Sequence, residues 1–190
     1  MEKIQVYLLA LLIVLVFGYF STLNNENRFQ MSGRATQVDA PSSASILSYF
    51  SISASPTLQS GVIWSSIQNL PVTDLDADGN NAAGSTAYST QVSPDSNLQI
   101  DFCIKASGDL VSGVNVITLN NYRWDSALNA IDPVVGSSIP MTTSFVKTDL
   151  SINPGFSDYF RFWLSVPGSK PAGTYTNTIT FKGVSAGNAC

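Results

Sequence analysis

The chain has no histidine, and it has no glutamate after Glu26. The absence of histidine excludes Ser-His-Asp and Cys-His catalysis and every histidine-ligated metal site. Charge is also scarce, at 12% of residues, and from Thr36 onward eleven aspartates stand against six lysines and arginines, a difference of −5. The sequence contains no basic stripe, so nucleic acid is not an expected partner.

Serine, threonine, asparagine and glycine are abundant where charged residues are missing. This composition is typical of strands with hydroxyl-rich outer faces that are joined by many turns. A length of 190 residues suits one domain with a leader and a linker.

The stretch Ile4–Leu23 is apolar and uncharged, and it follows Lys3. A cleaved signal peptide has such a positive start and apolar run. A signal anchor is the alternative, because twenty residues span about 30 Å as a helix, the thickness of the hydrocarbon core. The small residues that a cleavage site requires are missing at the end of the run, which favours the anchor. We expect residues 1–23 to be a signal peptide or transmembrane helix, 24–44 a polar linker, and 45–190 an extracellular or cell-surface domain, membrane-anchored or secreted.

The body of the chain consists of short β-branched and aromatic runs separated by turn clusters. Apolar residues occupy every second position in LQIDFCI (98–104) and in YFRFWLSV (159–166), the pattern of half-buried antiparallel strands. The sequence therefore predicts an all-β, antiparallel two-sheet sandwich, jelly-roll or immunoglobulin-like, preceded by an N-terminal hydrophobic helix. The predicted strands are Ile46–Ser53, Gly61–Ile67, Ala87–Val92, Leu98–Lys105, Val114–Leu119, Thr143–Leu150, Tyr159–Val166 and Thr174–Lys182.

The C-terminal part carries a family resemblance. A P-G turn, an alternating strand that ends near proline, and a final strand opened by P-x-G-x-Y occur at Pro154, Gly155, Pro167, Pro171, Gly173 and Tyr175. This pattern resembles the last two strands of many bacterial and archaeal extracellular sandwich domains. The layout of apolar leader and sandwich is also similar to small archaeal surface proteins and to fibre-forming proteins of the camelysin type. The resemblance implies a sandwich fold and a role as spacer, adhesin or fibre subunit.

The chain contains two cysteines, Cys103 and Cys190. Cys103 alternates with the apolar side chains of its strand, so its sulfur is expected to point away from the core. Two cysteines in an exported chain favour a disulfide, which would hold the C-terminal tail across the outside of this strand. Free thiols or an intermolecular bond through the tail are the alternatives. A catalytic thiol is not expected, because no histidine is present to activate it.

Three alternating aspartates, Asp74, Asp76 and Asp78, precede Asn80 in DLDADGNN. Calcium prefers six to eight oxygen ligands, and a tight acidic loop can converge on one ion. An EF-hand is rejected, because Ser85 occupies the position of its bidentate glutamate. Two interpretations stay open: a dockerin-like or sandwich-loop calcium site formed by these four residues, or a solvated acidic turn.

Five aromatic residues are candidates for a surface on which a carbohydrate ring stacks: Trp64, Trp124 and Trp163, with Tyr122 and Tyr159. The alternation of its strand places Trp163 on the outer face. The alternative is that Trp163 covers a sheet edge or a subunit contact.

These observations lead to two functional hypotheses. The first is a non-catalytic structural protein of the cell surface that self-associates into a fibre or coat. Ala44–Ser55 is a strand-prone run that could add to a neighbour's sheet edge or form the first strand of its own sandwich. The second hypothesis is a surface module that binds glycan, cell wall or protein. An enzyme is not expected, because no spacing singles out an aspartate pair for glycoside hydrolysis.

Overall fold

The computed structural model describes residues 43–80 and 85–190, so the predicted hydrophobic helix at 1–23 lies outside the described residues, as does most of the predicted linker. Ile46–Cys190 forms one compact unit. Its strands are β1 (Ile52–Ala54), β2 (Val72–Asp76), β3 (Tyr88–Val92), β4 (Ile100–Ala106), β5 (Leu110–Ser112), β6 (Asn115–Ile117), β7 (Tyr122–Ala127), β8 (Ile139–Pro140), β9 (Val146–Ile152), β10 (Ser157–Val166) and β11 (Ile179–Ser185). A short helix, α1 (Pro56–Gln59), and 3₁₀ turns at Leu119–Asn121 and Val135–Ser137 complete the described elements.

The strands form two main antiparallel sheets. The larger sheet has the order β1-β3-β10-β7-β8, with β2 also paired to β10, and the smaller has the order β11-β4-β9. A separate hairpin joins β5 to β6. The prediction of an all-β, antiparallel fold is therefore confirmed.

The two main sheets face each other across a shared apolar core. Phe160 of β10 meets Phe181 of β11 edge-to-face, with 5.0 Å between ring centroids. The inward side chains of β10 include Phe162 and Leu164, which are at most 3% exposed, as the period-two pattern predicted. The arrangement of two facing sheets fits a sandwich.

Strand β10 is the central element of the larger sheet. One edge pairs with β7 from Tyr159 to Leu164. The other edge is shared, because β3 pairs with Ser157–Phe160 and β2 pairs with Trp163–Val166. No single strand therefore covers this second edge from end to end.

The predicted strands differ from the observed ones in several places. The predicted strand Ile46–Ser53 is wrong over most of its length, because only Ile52–Ala54 pairs as a strand. The predicted strand Gly61–Ile67 forms no strand. It begins at a positive-φ glycine, and Trp64 uses its indole N–H to bind the Leu75 carbonyl instead.

Strands β2, β5, β7 and β8 were not predicted. The signal for β7 was present, since Tyr122 and Trp124 are buried and alternate with the less buried Arg123 and Asp125.

One inward position of β10 holds a carboxyl group. Asp158 has no exposed surface. The hydroxyls of Thr148 and Ser126 and the backbone N–H of Tyr159 approach its carboxyl, but neither carboxyl oxygen makes a hydrogen bond of regular geometry with the described residues. Burial outweighs these groups and, with the nearby negative charge of Asp125, raises the pKa of Asp158 to about 7.

This raised pKa predicts that the domain is more stable in acid than at neutral pH. An unfolded aspartate has a pKa of about 3.9. Between about pH 4 and pH 7 the folded protein therefore holds a proton that the unfolded chain has released. The free energy of unfolding should fall through this window by up to about 1.4 kcal/mol per pH unit.

Denaturant unfolding between pH 4 and pH 8 measures the slope. Asp158→Asn should flatten it and stabilise the protein at pH 7, whereas Asp149→Asn, at an exposed site of β9, should leave it unchanged. An equal slope in wild type and Asp158→Asn would contradict the assignment.

Candidate functional site

The predicted disulfide between Cys103 and Cys190 is confirmed, with 6.0 Å between the two Cα atoms. Cys103 is fully buried, yet it is not among the side chains of the apolar core. The C-terminal tail therefore covers the outer face of β4, as the alternation of Cys103 predicted. A disulfide fits an oxidising compartment.

Asp101 anchors the same tail, a role that sequence reasoning missed. Its carboxylate accepts hydrogen bonds from the Lys147 ammonium group at 2.9 Å, the Gly187 backbone N–H at 2.8 Å and the Ser151 hydroxyl at 2.6 Å. Burial by itself raises the pKa of Asp101, but these three donors outweigh it and the net direction is downward. The alternation of Asp101 with Phe102 was the available signal that the carboxylate lies outside the core.

Reduction of the disulfide should lower the melting temperature without dissolving the core. The bond closes a loop of sequence separation 87, worth about 4.6 kcal/mol on the chain-entropy estimate. Thermal unfolding with and without reductant measures the effect, and near-ultraviolet circular dichroism reports whether the core persists.

The matched control is Cys103→Ala with Cys190→Ala, which should reproduce the reduced protein and show no response to reductant. A melting temperature that reductant leaves unchanged in the wild type would contradict this role.

The segment that contains the three aspartates, residues 74–78, is joined to β10 by hydrogen bonds and an ion pair. We call it the acidic segment. Asp74, at a φ of 49°, receives the Ser165 hydroxyl at 3.3 Å and donates its own N–H to that oxygen at 3.0 Å. Asp76 forms an ion pair with Arg161 at 3.0 Å and accepts the Asn80 side-chain N–H at 3.0 Å. Two of the three aspartates thus have partners on the neighbouring strand.

The third aspartate points to another segment. The carboxylate of Asp78 accepts the Ser65 backbone N–H at 3.1 Å. Within residues 43–80 and 85–190, no group of three acidic, cysteine or histidine side chains is placed to hold a metal ion. Calcium binding by this segment stays a prediction.

The predicted aromatic surface does not form. Trp124, Trp163 and Tyr122 are at most 3% exposed. Trp163 lies on the outer face as predicted, but the guanidinium of Arg161 lies 5.4 Å from its ring centroid. The hypothesis that Trp163 stacks on a carbohydrate is wrong, because the alternation of a strand gives the face of a residue and not what covers it. The alternative, that Trp163 covers a sheet edge or a subunit contact, stays open.

Trp64 lines an open groove instead. It packs edge-on against Tyr122, with 5.1 Å between centroids. One wall of the groove runs along Val62–Ile67 and the other along Gly173–Asn177, and the two enclose about 530 Å³. The floor consists of the core residues Leu110, Ile117 and Leu164, and among the described residues no charged one lines the groove. We call this feature the groove.

Four exposed apolar residues belong to two segments that are hydrogen-bonded to the two sides of the Ser93–Asn97 turn. The backbone N–H of Tyr49 donates to the Asn97 side chain, whose own N–H donates to the Leu47 carbonyl, each at 2.9 Å. Phe156 is joined to the other side of this turn, because its carbonyl accepts the N–H of Val92. The exposed fractions are 86% for Ile46, 82% for Leu47, 55% for Tyr49 and 66% for Phe156. We call these four residues the terminal patch.

Comparison with protein-family models, with curated proteins and with solved structures finds no match to this chain. In the described part of the chain, no helix is long and apolar enough to cross a membrane. The groove and the terminal patch are therefore interpreted from their own geometry.

Proposed function

We propose that this protein is a non-catalytic structural subunit of the cell surface that assembles with copies of itself. The terminal patch is the observation that carries this proposal. Large apolar side chains are common on protein surfaces one at a time, but clustered ones mark sites of association.

Hydrogen bonds hold the backbone of the terminal patch in place, which supports association through its side chains. Leu47 and Tyr49 are held by backbone hydrogen bonds to Asn97, and the Ser93 N–H donates to the Ser51 carbonyl at 2.9 Å. A pre-ordered surface loses less conformational entropy on docking than a flexible one. The patch is therefore suited to contact another protein surface as it stands.

The pairing of β1 with β3 decides whether the run Ala44–Ser55 is free to be donated to a neighbouring subunit. Ile52–Ala54 pairs with Thr90–Val92 of its own β3, which is the intramolecular alternative for the run Ala44–Ser55. A donated strand would have to leave this pairing first. Contact through exposed side chains needs no such rearrangement, so it is the favoured mode of assembly.

A location outside the cytoplasm is supported by three features of the chain. The disulfide fits an oxidising compartment. The apolar stretch Ile4–Leu23 is the segment expected to export or anchor the domain, and the layout resembles that of surface and fibre-forming proteins.

A surface binding module is the second candidate, and the groove favours it. The groove combines apolar residues with Trp64, Tyr175 and uncharged polar groups such as Asn177, a mixture typical of ligand sites. In that case the isolated domain would stay monomeric and would bind a glycan or peptide.

Self-association of a chain that begins at Ala44 tests the proposal. This chain contains the whole compact unit. Analytical ultracentrifugation should show mass that rises with protein concentration, and negative-stain microscopy should show filaments or sheets. Replacing Ile46 and Leu47 by serine should weaken association by at least about tenfold, since their apolar surface would no longer be removed from water.

Leu128→Ser is the matched control, because Leu128 is 62% exposed but lies on the β7–β8 loop. It should associate like the wild type. A wild-type chain that stays monomeric at millimolar concentration would contradict assembly and favour the binding module.

A further inference from the structure

Both walls of the groove contain residues whose backbone N–H and C=O groups bond to none of the described residues. On the wall Gly173–Asn177, Thr176 exchanges both of its backbone hydrogen bonds with Val111, at 3.0 and 3.1 Å. The backbone groups of its neighbours Tyr175 and Asn177 bond to none of the described residues. This alternation is that of a strand with one paired side, because successive residues of an extended chain direct these groups to opposite sides.

The same wall continues the outer edge of the smaller sheet. Strand β11 begins two residues after Asn177 and pairs, among the described strands, with β4 alone. The run from Thr174 to Phe181, TYTNTITF, contains neither a charged residue nor a proline. Charged residues and proline are what keeps further strands from pairing with a sheet edge, and this edge has neither. The wall is therefore suited to accept an added strand.

The opposite wall of the groove has the same alternation. The Ile63 carbonyl accepts the Asp78 N–H at 2.8 Å, and the Ser65 N–H donates to the Asp78 carboxylate at 3.1 Å. The backbone groups of Val62 and Trp64 bond to none of the described residues. The groove thus carries backbone groups without a partner in the described part of the chain on both of its walls.

The polar side chains of the groove, in contrast, already donate within the domain. Each bonds to a backbone carbonyl, at 2.9 Å for the Trp64 indole N–H and at 3.0 Å for the Tyr175 hydroxyl and the Asn177 amide. A glycan is recognised by side-chain groups that bind its hydroxyls, whereas an extended peptide binds through backbone groups. The groove therefore matches a peptide better than a glycan.

We infer that the groove binds an uncharged peptide segment in extended form, and that the peptide backbone pairs with Tyr175 and Asn177 and extends the smaller sheet by one strand. Alternate side chains of the peptide would pack on the apolar floor. A charged side chain would find no partner among the lining residues and would lose its hydration. Such binding does not require the self-association proposed above, and it gives the second candidate function a ligand class.

A peptide library tests this binding. The probe is a set of acetylated and amidated peptides of about eight residues, in which serine or threonine alternates with a randomised uncharged residue. Affinity selection read by mass spectrometry should recover members that the wild-type protein retains. Methylation of the amide nitrogens along one edge of the tightest member should weaken binding at least about tenfold. Methylation along the other edge should have little effect, because an added strand pairs through one edge.

Asn177→Pro and Asn177→Ala form a matched pair on the side of the protein. Both variants lose the side-chain hydrogen bond to the Gly108 carbonyl. Only proline also removes the backbone N–H, which has no partner among the described residues. The proline variant should bind the selected peptide at least about tenfold more weakly than the alanine variant, and thermal unfolding shows whether both are folded.

A steric variant keeps the test decisive if the proline variant does not fold. Thr174→Arg places a large charged side chain on an exposed wall position of the groove and should abolish retention of the peptide. Thr180→Arg is its matched control, since Thr180 is an exposed threonine of β11 that does not line the groove. This control should bind like the wild type.

Four results would overturn the inference. The first is a wild-type protein that retains no library member; if it binds an oligomer of N-acetylglucosamine instead, the occupant is a glycan. The second is equal affinity of the peptide for the wild type and Thr174→Arg, which places binding elsewhere. The third is equal loss from methylation of either edge, or loss from neither. The fourth is loss of self-association in Thr174→Arg without any peptide retained, which makes a second copy the occupant. A protein that stays monomeric but retains peptides would contradict the proposed assembly and support peptide binding.

Discussion

The larger sheet depends on the hydrogen bonds along the edge of β10 that β3 and β2 share. Between β3 and β2, side chains donate to two backbone carbonyls of β10, and one of the two, the Phe162 carbonyl, also accepts the Ala77 backbone N–H at 3.0 Å. The Asn80 amide donates to the Phe162 carbonyl at 2.7 Å, and the Thr86 hydroxyl donates to the Phe160 carbonyl at 2.6 Å, both in buried surroundings. A buried carbonyl without a donor costs about 1–3 kcal/mol, so the donors from Thr86, Asn80 and Ala77 stabilise the central strand.

The bend that brings Asn80 to β10 requires a glycine. A Cβ at Gly79 would lie 2.3 Å from the ring of Tyr88, whose hydroxyl accepts the Gly79 N–H at 3.0 Å. The acidic segment before Gly79 stabilises the same bend, because Asp76 binds both Asn80 and Arg161 of β10. These contacts give the run of aspartates, glycine and asparagine a structural role in closing the larger sheet.

Strand β10 also supports the two surfaces described above, the terminal patch and the groove. Its first residues pair with β3, which in turn holds β1 and the run that carries the terminal patch. Its last residues pair with β2, and Leu164 contributes to the floor of the groove. One strand thus supports both the run that carries the terminal patch and the floor of the groove.

Sequence reasoning succeeded where one segment held the whole signal. The alternation in β4 and β10 identified two central strands and the outward side of Cys103, and the pairing of two cysteines followed from their number. The groove was missed because Trp64, Leu110, Leu164 and Tyr175 come from four separate segments, and no local pattern connects them.

The other features that sequence reasoning missed depend on contacts between segments that are distant in the sequence. The ion pair of Asp76 in β2 with Arg161, 85 residues away, was not predicted, because no local pattern connects the two residues. The guanidinium of the same arginine lies over the ring of Trp163. Asp158 was overlooked because a carboxyl at an inward strand position breaks the hydrophobic pattern, and its neighbours Thr148 and Ser126 lie on other strands.

The solvent exposure of the terminal patch in the assembled protein tests the central claim most directly, and hydroxyl-radical footprinting read by mass spectrometry measures it. Association through this patch predicts that Tyr49 and Phe156, which are 55% and 66% exposed in the single domain, become protected on assembly, while Leu128, which is 62% exposed, keeps its reactivity. Unchanged reactivity of Tyr49 and Phe156 in assembled protein would contradict the account.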